Sequence, residues 1–507
     1  MLKYGTIAGG NKITAQAAYQ ILENGGNSFD ASVGAVFISM VAEYNLTGPG
    51  GGGALLACPI NKTPVLFDFF VDTPEPQPNK QLDFFNVLID FGPSQQAFHI
   101  GKGSVAIPGN VAGLLKVHER LGKIPLKAVL EPAIVAAKDG VIIDEAQGYL
   151  FQILEPILSH SKAGEKQFKP KGKLIKKGAL FQNVAFADLL ENLILEGADF
   201  FYKGEGAKII LSAIGEQGLL TKSALENYRV IERFPLMSTF QGKTIFTNPA
   251  PATGGTLITF VLQLLEKTKQ KNKWDLQTLV QAMQLASNVR HEICTNPNNE
   301  TQISEILDDK IFNRYLQYFE SNSQVSLNNL DPFSRGETTQ VSIIDKEGNA
   351  ASVTTTNGEG CGYFISELGL MLNNMLGEED LNPMGFHQWP RQRRLPTMMS
   401  PTVIMGEKGV EMVLGSGGSN RIRSAIAQVI LNVISKGMTL DEAVKAPRIH
   451  LEGNTLHYEP HIDIENNLNG YDIHAWDKQN LFFGGVNAVT KTEAVGDARR
   501  GGEGIVC

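Results

Sequence analysis

The sequence predicts an α/β fold of the α+β type, and three observations point to it. The first half carries apolar residues at helical spacing. The part after residue 338 carries short β-like runs separated by turn residues. The composition is that of an ordinary folded protein, with 42% hydrophobic and 19% charged residues in a chain of 507.

Composition also excludes several classes. Glycine is abundant, at 52 residues, but has no three-residue period, so the chain is not collagen-like. Its apolar content is too high for a disordered chain. A net charge of −8 argues against nucleic acid and anionic lipid as partners, since both require a basic face. The start, MLKYGTIAGGNK, lacks the basic-then-apolar pattern of a secretory signal. The apolar stretch 31–42 is too short to span a bilayer. The expectation is a cytoplasmic protein without membrane partners. Cys58, Cys294, Cys361 and Cys507 form no CxxC pair and are expected to be idle thiols. The nine histidines lack metal spacing, so neither metal nor organic cofactor is expected.

Taken in order, 14–23 reads as an amphipathic helix stopped by Asn24-Gly25-Gly26. A second helix at 31–42 is apolar on most sides and is expected to lie against a sheet. The glycine run 48–53 reads as a tight turn packed at the start of a strand at 54–58, followed by another strand at 64–70. Residues 75–100 read as an irregular loop, 103–235 as mostly helical with a solvated loop at 161–178, and 257–290 as two helices. The polar segment 320–337 is expected to be exposed. Runs 338–345 and 350–356 flank Lys346-Glu347-Gly348-Asn349, which predicts a hairpin. Strands at 368–374, 400–406 and 410–415 follow, then a helix at 420–435 and a shorter one opened by the capping box Thr439/Glu442.

The strongest chemical signal is Gly336-Glu337-Thr338-Thr339-Gln340, where a polar loop meets the hairpin. Threonine starts many strands without chemical purpose. More weight comes from an ordered series of segments: GGNSFDA at 25–31, VAIPGNVAGL at 105–114, PAPATGG at 249–255, MSPT at 399–402, GSGGSNRI at 415–422, APRIH at 446–450 and the glycine-bounded 496–502. In order and spacing they resemble the γ-glutamyltranspeptidases of the N-terminal-nucleophile hydrolase class.

The resemblance implies a four-layer αββα sandwich and a precursor that cuts itself before Thr338. The scissile bond is then Glu337–Thr338, giving a large subunit 1–337 and a small one 338–507 that share one core. A threonine hydroxyl is a poor nucleophile unless a base lies beside it. The freed α-amino group, with a reference pKa of about 7.7–8.0, supplies that base from the same residue. Thr356 matches the threonine that supports the nucleophile. The loop 417–419 matches the oxyanion donors, as Gly417 with Gly418 or as Gly418 with Ser419. The expected partner is a small amide, either a γ-glutamyl compound or another acyl amide. An acylase for a non-glutamyl amide and a silent scaffold remain as alternatives.

The sequence departs from the family where it holds an amino-acid head. Phe70 stands where the carboxylate-binding arginine follows Asp-Phe, and Thr397 and Met398 replace a serine pair. Met375 and Glu378 occupy the positions of the ammonium acceptors after Leu372-Asn373-Asn374. Gly358 replaces an asparagine, although Asn357 is adjacent. Poor turnover of γ-glutamyl amides follows unless another cation moves in. Arg391, Arg393 and Arg394 are the candidates, although solvated loop charges are the plainer expectation for them.

Overall fold

The computed structural model describes residues 3–77, 79–90, 95–267, 275–294, 300–321, 337–389, 393–464, 468 and 470–507. The chain opens with strand β1 (Gly5–Gly9), and helix α1 (Lys12–Glu23) follows. Asn11 caps α1 by accepting from the Ile13 N–H, and Gly25, at φ +92°, ends it as the Asn-Gly signal predicts. Helix α2 (Ser28–Ala42) starts with a capping box between Asn27 and Asp30, and all of its residues are buried. A helix apolar all round belongs inside, and α2 lies between α1, α4 (Leu126–Asp139) and the first sheet, with α3 (Asn110–Leu121) beside it.

The strands of the two main sheets continue as β2 (Gly52–Cys58), β3 (Val65–Phe69), β4 (Ile231–Arg233), β5 (Leu236–Phe240) and β6 (Lys243–Thr247). After them come β7 (Thr339–Asp345), β8 (Ala350–Thr356), β9 (Thr402–Gly406), β10 (Gly409–Gly417), β11 (Gly485–Val489), β12 (Ala494–Val495) and β13 (Glu503–Val506). The first sheet runs β13-β1-β7-β8-β2-β3-β4 and the second β12-β11-β10-β9-β6-β5, with antiparallel neighbours throughout. Strands β7 and β8 therefore lie between β1 and β2, in the middle of the first sheet.

Period-two alternation divides the first sheet into two faces. Ile7, Leu55, Phe67, Val341, Ile343 and Val353 pack outward with the helices of the first layer. Leu56, Leu66 and Ile344 face Val403, Val413 and Val489 of the second sheet. The second sheet is covered by α5 (Gly254–Lys267), α6 (Leu276–Cys294) and α7 (Arg421–Ile430), through residues such as Leu257, Ile426 and Leu414. The layers are αββα. No helix among the described residues is long and apolar enough to cross a membrane.

Three local expectations change. Residues 75–100 contain a hairpin, Phe85–Asp90 against Gln95–Ile100, with Ile89 and Phe98 buried in the core. The segment 161–178 includes the helix Lys162–Phe168, capped by Ser161 and anchored by fully buried Phe168. In 368–374 only Leu370–Met371 pairs as a strand, with Phe364–Ile365. Of the polar segment 320–337, residues 322–336 lie outside the described residues, and Glu337 is buried.

Candidate active site

Thr338 sits immediately before β7, where the two sheets meet, and is 4% exposed. Below it the inter-sheet space is polar. Gln340 donates to the Ser342 and Ser352 hydroxyls, and Asn487 of β11 donates to the Gln340 carbonyl oxygen at 2.7 Å. Ser352 donates to the Leu414 carbonyl of β10 at 2.9 Å. These bonds tie the strand that follows Thr338 to β10 and β11 across the sandwich. On the opposite face, the Thr339 hydroxyl donates to Glu43, whose other oxygen accepts from Thr14. Burial pushes the Glu43 carboxyl up to about 7, against the two hydroxyl donors that lower it.

The end of β8 reaches the Glu337–Thr338 bond. Thr356 donates its hydroxyl to the Glu337 carbonyl oxygen and accepts from the Gly358 N–H at 2.9 Å. Gly358 has φ +59°, and a Cβ there would lie 2.2 Å from Asn374 Oδ1 and 2.4 Å from Glu378 Oε1. The family's asparagine has no room at this position, because Asn374 and Glu378 fill the space. Asn357 points its amide to the Met371 carbonyl at 3.1 Å.

The end of β10 closes the other side. A Cβ on Gly417 would meet the Thr338 carbonyl oxygen at 2.2 Å, so only glycine allows this approach. The chain turns through Gly418 (φ +120°) and Ser419 (φ +49°) into α7. Ser419 donates to Asp380 Oδ2 at 2.9 Å, which ties the turn to the loop carrying Glu378.

An acidic pocket lies against Gly358. Glu359, Glu378 and Asp380 each have a buried carboxylate oxygen without a hydrogen-bond partner. Burial, then repulsion by Glu378 and Glu337, holds the Glu359 carboxyl well above the usual carboxylate range. Glu378 is raised in the same way, by burial and then by Asp380. At Glu337 itself, Arg500 Nη1 lies 3.1 Å from Oε2.

The residue pattern described as gamma-glutamyltranspeptidase matches residues 14–507. The chain belongs to that family. It is 29% identical over 490 residues to the glutathione hydrolase proenzyme of Escherichia coli, covering 88% of this chain and 81% of that one. It is 26% identical over 511 residues to the capsule biosynthesis protein CapD proenzyme of Bacillus anthracis, covering 98% and 90%. The solved cephalosporin acylase from Bacillus halodurans shares the fold, with a TM-score of 0.82 at 19% identity over 99% of this chain and 96% of that one. The protein is thus a gamma-glutamyltranspeptidase-like amidohydrolase or acyltransferase of the N-terminal-nucleophile type.

Against this family background, the substituted positions divide. Phe70 is 2% exposed and belongs to one apolar cluster with Met375, Leu376, Met398 and Met399. Thr397 uses its hydroxyl to accept from the Met399 N–H at 3.1 Å, and its carbonyl accepts from Thr253. Arg394 is neither a solvated loop charge nor a pocket cation. Its side chain is 2% exposed and bound to Asp72 at 2.7 Å, to Asp68 at 2.8 Å and to the Arg229 carbonyl at 2.7 Å. Arg393 is half-buried, with its backbone N–H on the Thr73 hydroxyl, and Arg391 lies outside the described residues. Sequence reasoning missed Glu359, Asp380 and Arg500. Glu359 follows Thr356 by three positions and Arg500 lies inside the matched 496–502 segment, but nothing in their spacing shows that both face one bond.

Proposed function

We propose that this chain cuts its own Glu337–Thr338 bond and then uses Thr338 as the nucleophile of an amide hydrolase or acyltransferase. The observation that carries this is the Thr356 hydroxyl on the Glu337 carbonyl oxygen, next to a threonine held by both sheets. A donor on that oxygen stabilises the charge that develops when the carbonyl carbon is attacked. In the first step the Thr338 Oγ1–Glu337 C bond forms, the C–N bond breaks, and the hydroxyl proton passes to the Thr338 nitrogen. Water then hydrolyses the ester, leaving a Glu337 carboxylate and a free Thr338 amine and hydroxyl.

The freed amine takes the hydroxyl proton when Thr338 attacks a substrate amide. The acyl-enzyme is released by water or by an amine. Gly417 stays in the ladder opposite Gly485, so the N–H groups of Gly418 and Ser419 serve as the oxyanion donors. The large piece 1–337 and the small piece 338–507 remain together as interleaved strands of one sheet. The acidic pocket suits an ammonium on the acyl group, as in a γ-glutamyl amide.

Purified protein should separate under denaturing conditions into two pieces, the smaller beginning at Thr338 by mass spectrometry. Thr338→Ala should stay one chain and turn over no amide. A wild type that stays intact on long incubation while hydrolysing amides would show that Thr338 is not used in this way.

A further inference from the structure

We infer that Arg500 is the cation that receives a carboxylate carried by the substrate's acyl group, once chain cleavage has released Arg500 from Glu337. This rests on the cleavage proposed above. In the uncut chain Arg500 Nη1 is 3.1 Å from Glu337 Oε2, on the residue whose carbonyl Thr338 attacks. The Arg500 side chain is 9% exposed, and its Nε and Nη2 have no hydrogen-bond partner among the described residues. Buried guanidinium donors left idle are costly, which marks them as waiting for an acceptor.

The position is built rather than incidental. The Arg500 stem lies across Gly485, where a Cβ would meet Arg500 Cδ at 2.6 Å. Its Nη2 sits beside the oxyanion turn, 3.4 Å from where a Cβ on Gly418 would be. The backbone is fixed because Arg500 N donates to the Asp497 carbonyl at 3.1 Å. Asp497 is itself locked to buried Arg448 at 2.7 Å and to Arg499 at 3.2 Å, and Arg499 to Glu459 at 2.6 Å. A cation held this firmly loses little entropy on binding an anion.

The chemistry of the cut supplies the ligand class. In the ester formed during cleavage, Glu337 is the acyl group on Thr338 Oγ1. Its side-chain carboxylate is separated from its carbonyl carbon by Cα, Cβ and Cγ. The uncut chain therefore displays a glutaryl span between the nucleophile and Arg500. A substrate acyl group occupies the same bond to Thr338 Oγ1 after Glu337 has left. Glutaryl and γ-glutamyl amides repeat that span, and their carboxylate takes the place of the Glu337 carboxylate on Arg500. The cation missing at Phe70 is thereby supplied from the far end of the chain, and the expectation of poor γ-glutamyl turnover is reversed.

The test uses the full chain. Cleavage is read first by mass spectrometry. On cleaved enzyme, kcat/KM is then compared for glutaryl p-nitroanilide and pentanoyl p-nitroanilide, which differ only in a terminal carboxylate against a methyl. Wild type should favour the glutaryl donor. Arg500→Gln should lower the glutaryl-to-pentanoyl ratio about 10- to 150-fold, the range for a lost hydrogen bond to a charged group, and Arg500→Lys should recover part of it. A cleaved Arg500→Gln protein with the wild-type ratio overturns this assignment alone, whereas an uncut wild type overturns the cleavage proposal and this one with it. If Arg500→Gln is not cut, the wild-type comparison decides, and no preference for the glutaryl donor overturns the assignment.

Discussion

The Thr356 hydroxyl donates to the carbonyl oxygen of Glu337 and is itself fixed by the Gly358 N–H at 2.9 Å. A hydroxyl has one proton to give. With its lone pair engaged by Gly358, that proton is directed at the scissile carbonyl. Removing it should act on cleavage as the loss of an oxyanion donor does, a slowing of about 10²- to 10³-fold. Thr356→Val keeps the branched shape that pairs with Gly52 across the sheet and loses only the hydroxyl. A time course of the 338–507 piece on denaturing gels measures the rate, and Thr356→Ser should remain within about tenfold of wild type. Thr356→Val cleaving at the wild-type rate would leave this contact without a chemical role.

Glu43 should make stability depend on pH. Its folded-state pKa is raised to about 7 by burial, while an exposed glutamate titrates near 4.3. A raised pKa means that the folded state binds the proton more tightly than the unfolded state. The associated stability is fully present below about pH 4.3 and is lost as pH rises through about 7, a total of roughly 3 kcal/mol. Glu43→Gln keeps one acceptor oxygen, offers its amide NH2 to the oxygen of the other threonine hydroxyl, and removes the titration. Thermal melts of both proteins at pH 5 and pH 8 should show a smaller fall for the variant. Parallel falls would mean that Glu43 does not titrate in this window.

Much of the fold was legible because it is written in local patterns. The Asn-Gly stop after α1, the all-apolar α2, the hairpin turn at 346–349 and the Thr439/Glu442 capping box each depend on neighbouring residues. The hairpin at 85–100 was not legible, because only Ile89, Phe98 and Ile100 turn into the core while an apolar residue such as Leu88 faces solvent, so no clean alternation marks its strands. The site divides in the same way. Thr338, Thr356 and Gly417 stand at strand ends that the resemblance had already aligned. Glu359 and Asp380 lie beside residues already singled out, Thr356 and Glu378, but only tertiary packing brings the two together and carries Arg500 to Glu337 from near the end of the chain. Arg394 misled for the opposite reason. A charge-rich loop reads as solvated, but its partners Asp68 and Asp72 lie more than three hundred residues earlier.

Arg394 is structural in this chain, and its removal should be costly. It neutralises Asp68 and Asp72 and lies over the Tyr228 ring at 5.1 Å. Arg394→Met leaves two carboxylates, buried Asp68 and half-buried Asp72, with one cation, Arg233 on Asp68 at 2.8 Å. Breaking a buried pair from one side costs about 3–5 kcal/mol. Adding Asp72→Asn should recover part of that loss, read as the denaturant midpoint of the double variant against the single. Phe70→Arg should also lower the midpoint, since it places a charge in a closed apolar cluster. A Phe70→Arg protein with wild-type stability and faster γ-glutamyl turnover would show instead that this position opens onto the substrate.

The acidic pocket should exchange protons for a cation. Glu359 and Glu378 hold their carboxyls above the usual range because they are buried, and because Glu378 and Glu337 repel Glu359 while Asp380 repels Glu378. Just above the ordinary glutamate range they therefore retain protons that exposed carboxylates have lost. An ammonium bound among them favours the ionised forms, lowers both pKa values and expels those protons. L-Glutamate bound to cleaved enzyme should release protons in that range, measured by calorimetry in buffers of different ionisation enthalpy. Glutarate, which has the carboxylate for Arg500 but no ammonium, should release fewer. In a Glu359→Gln/Glu378→Gln variant the difference between the two ligands should vanish, while glutarate still binds. The same variant should lose less stability than wild type as pH rises above the ordinary glutamate range, because two groups with raised folded-state pKa values no longer titrate. Equal proton release by glutamate and glutarate on the wild type would place the ammonium elsewhere and leave the pocket a structural cluster.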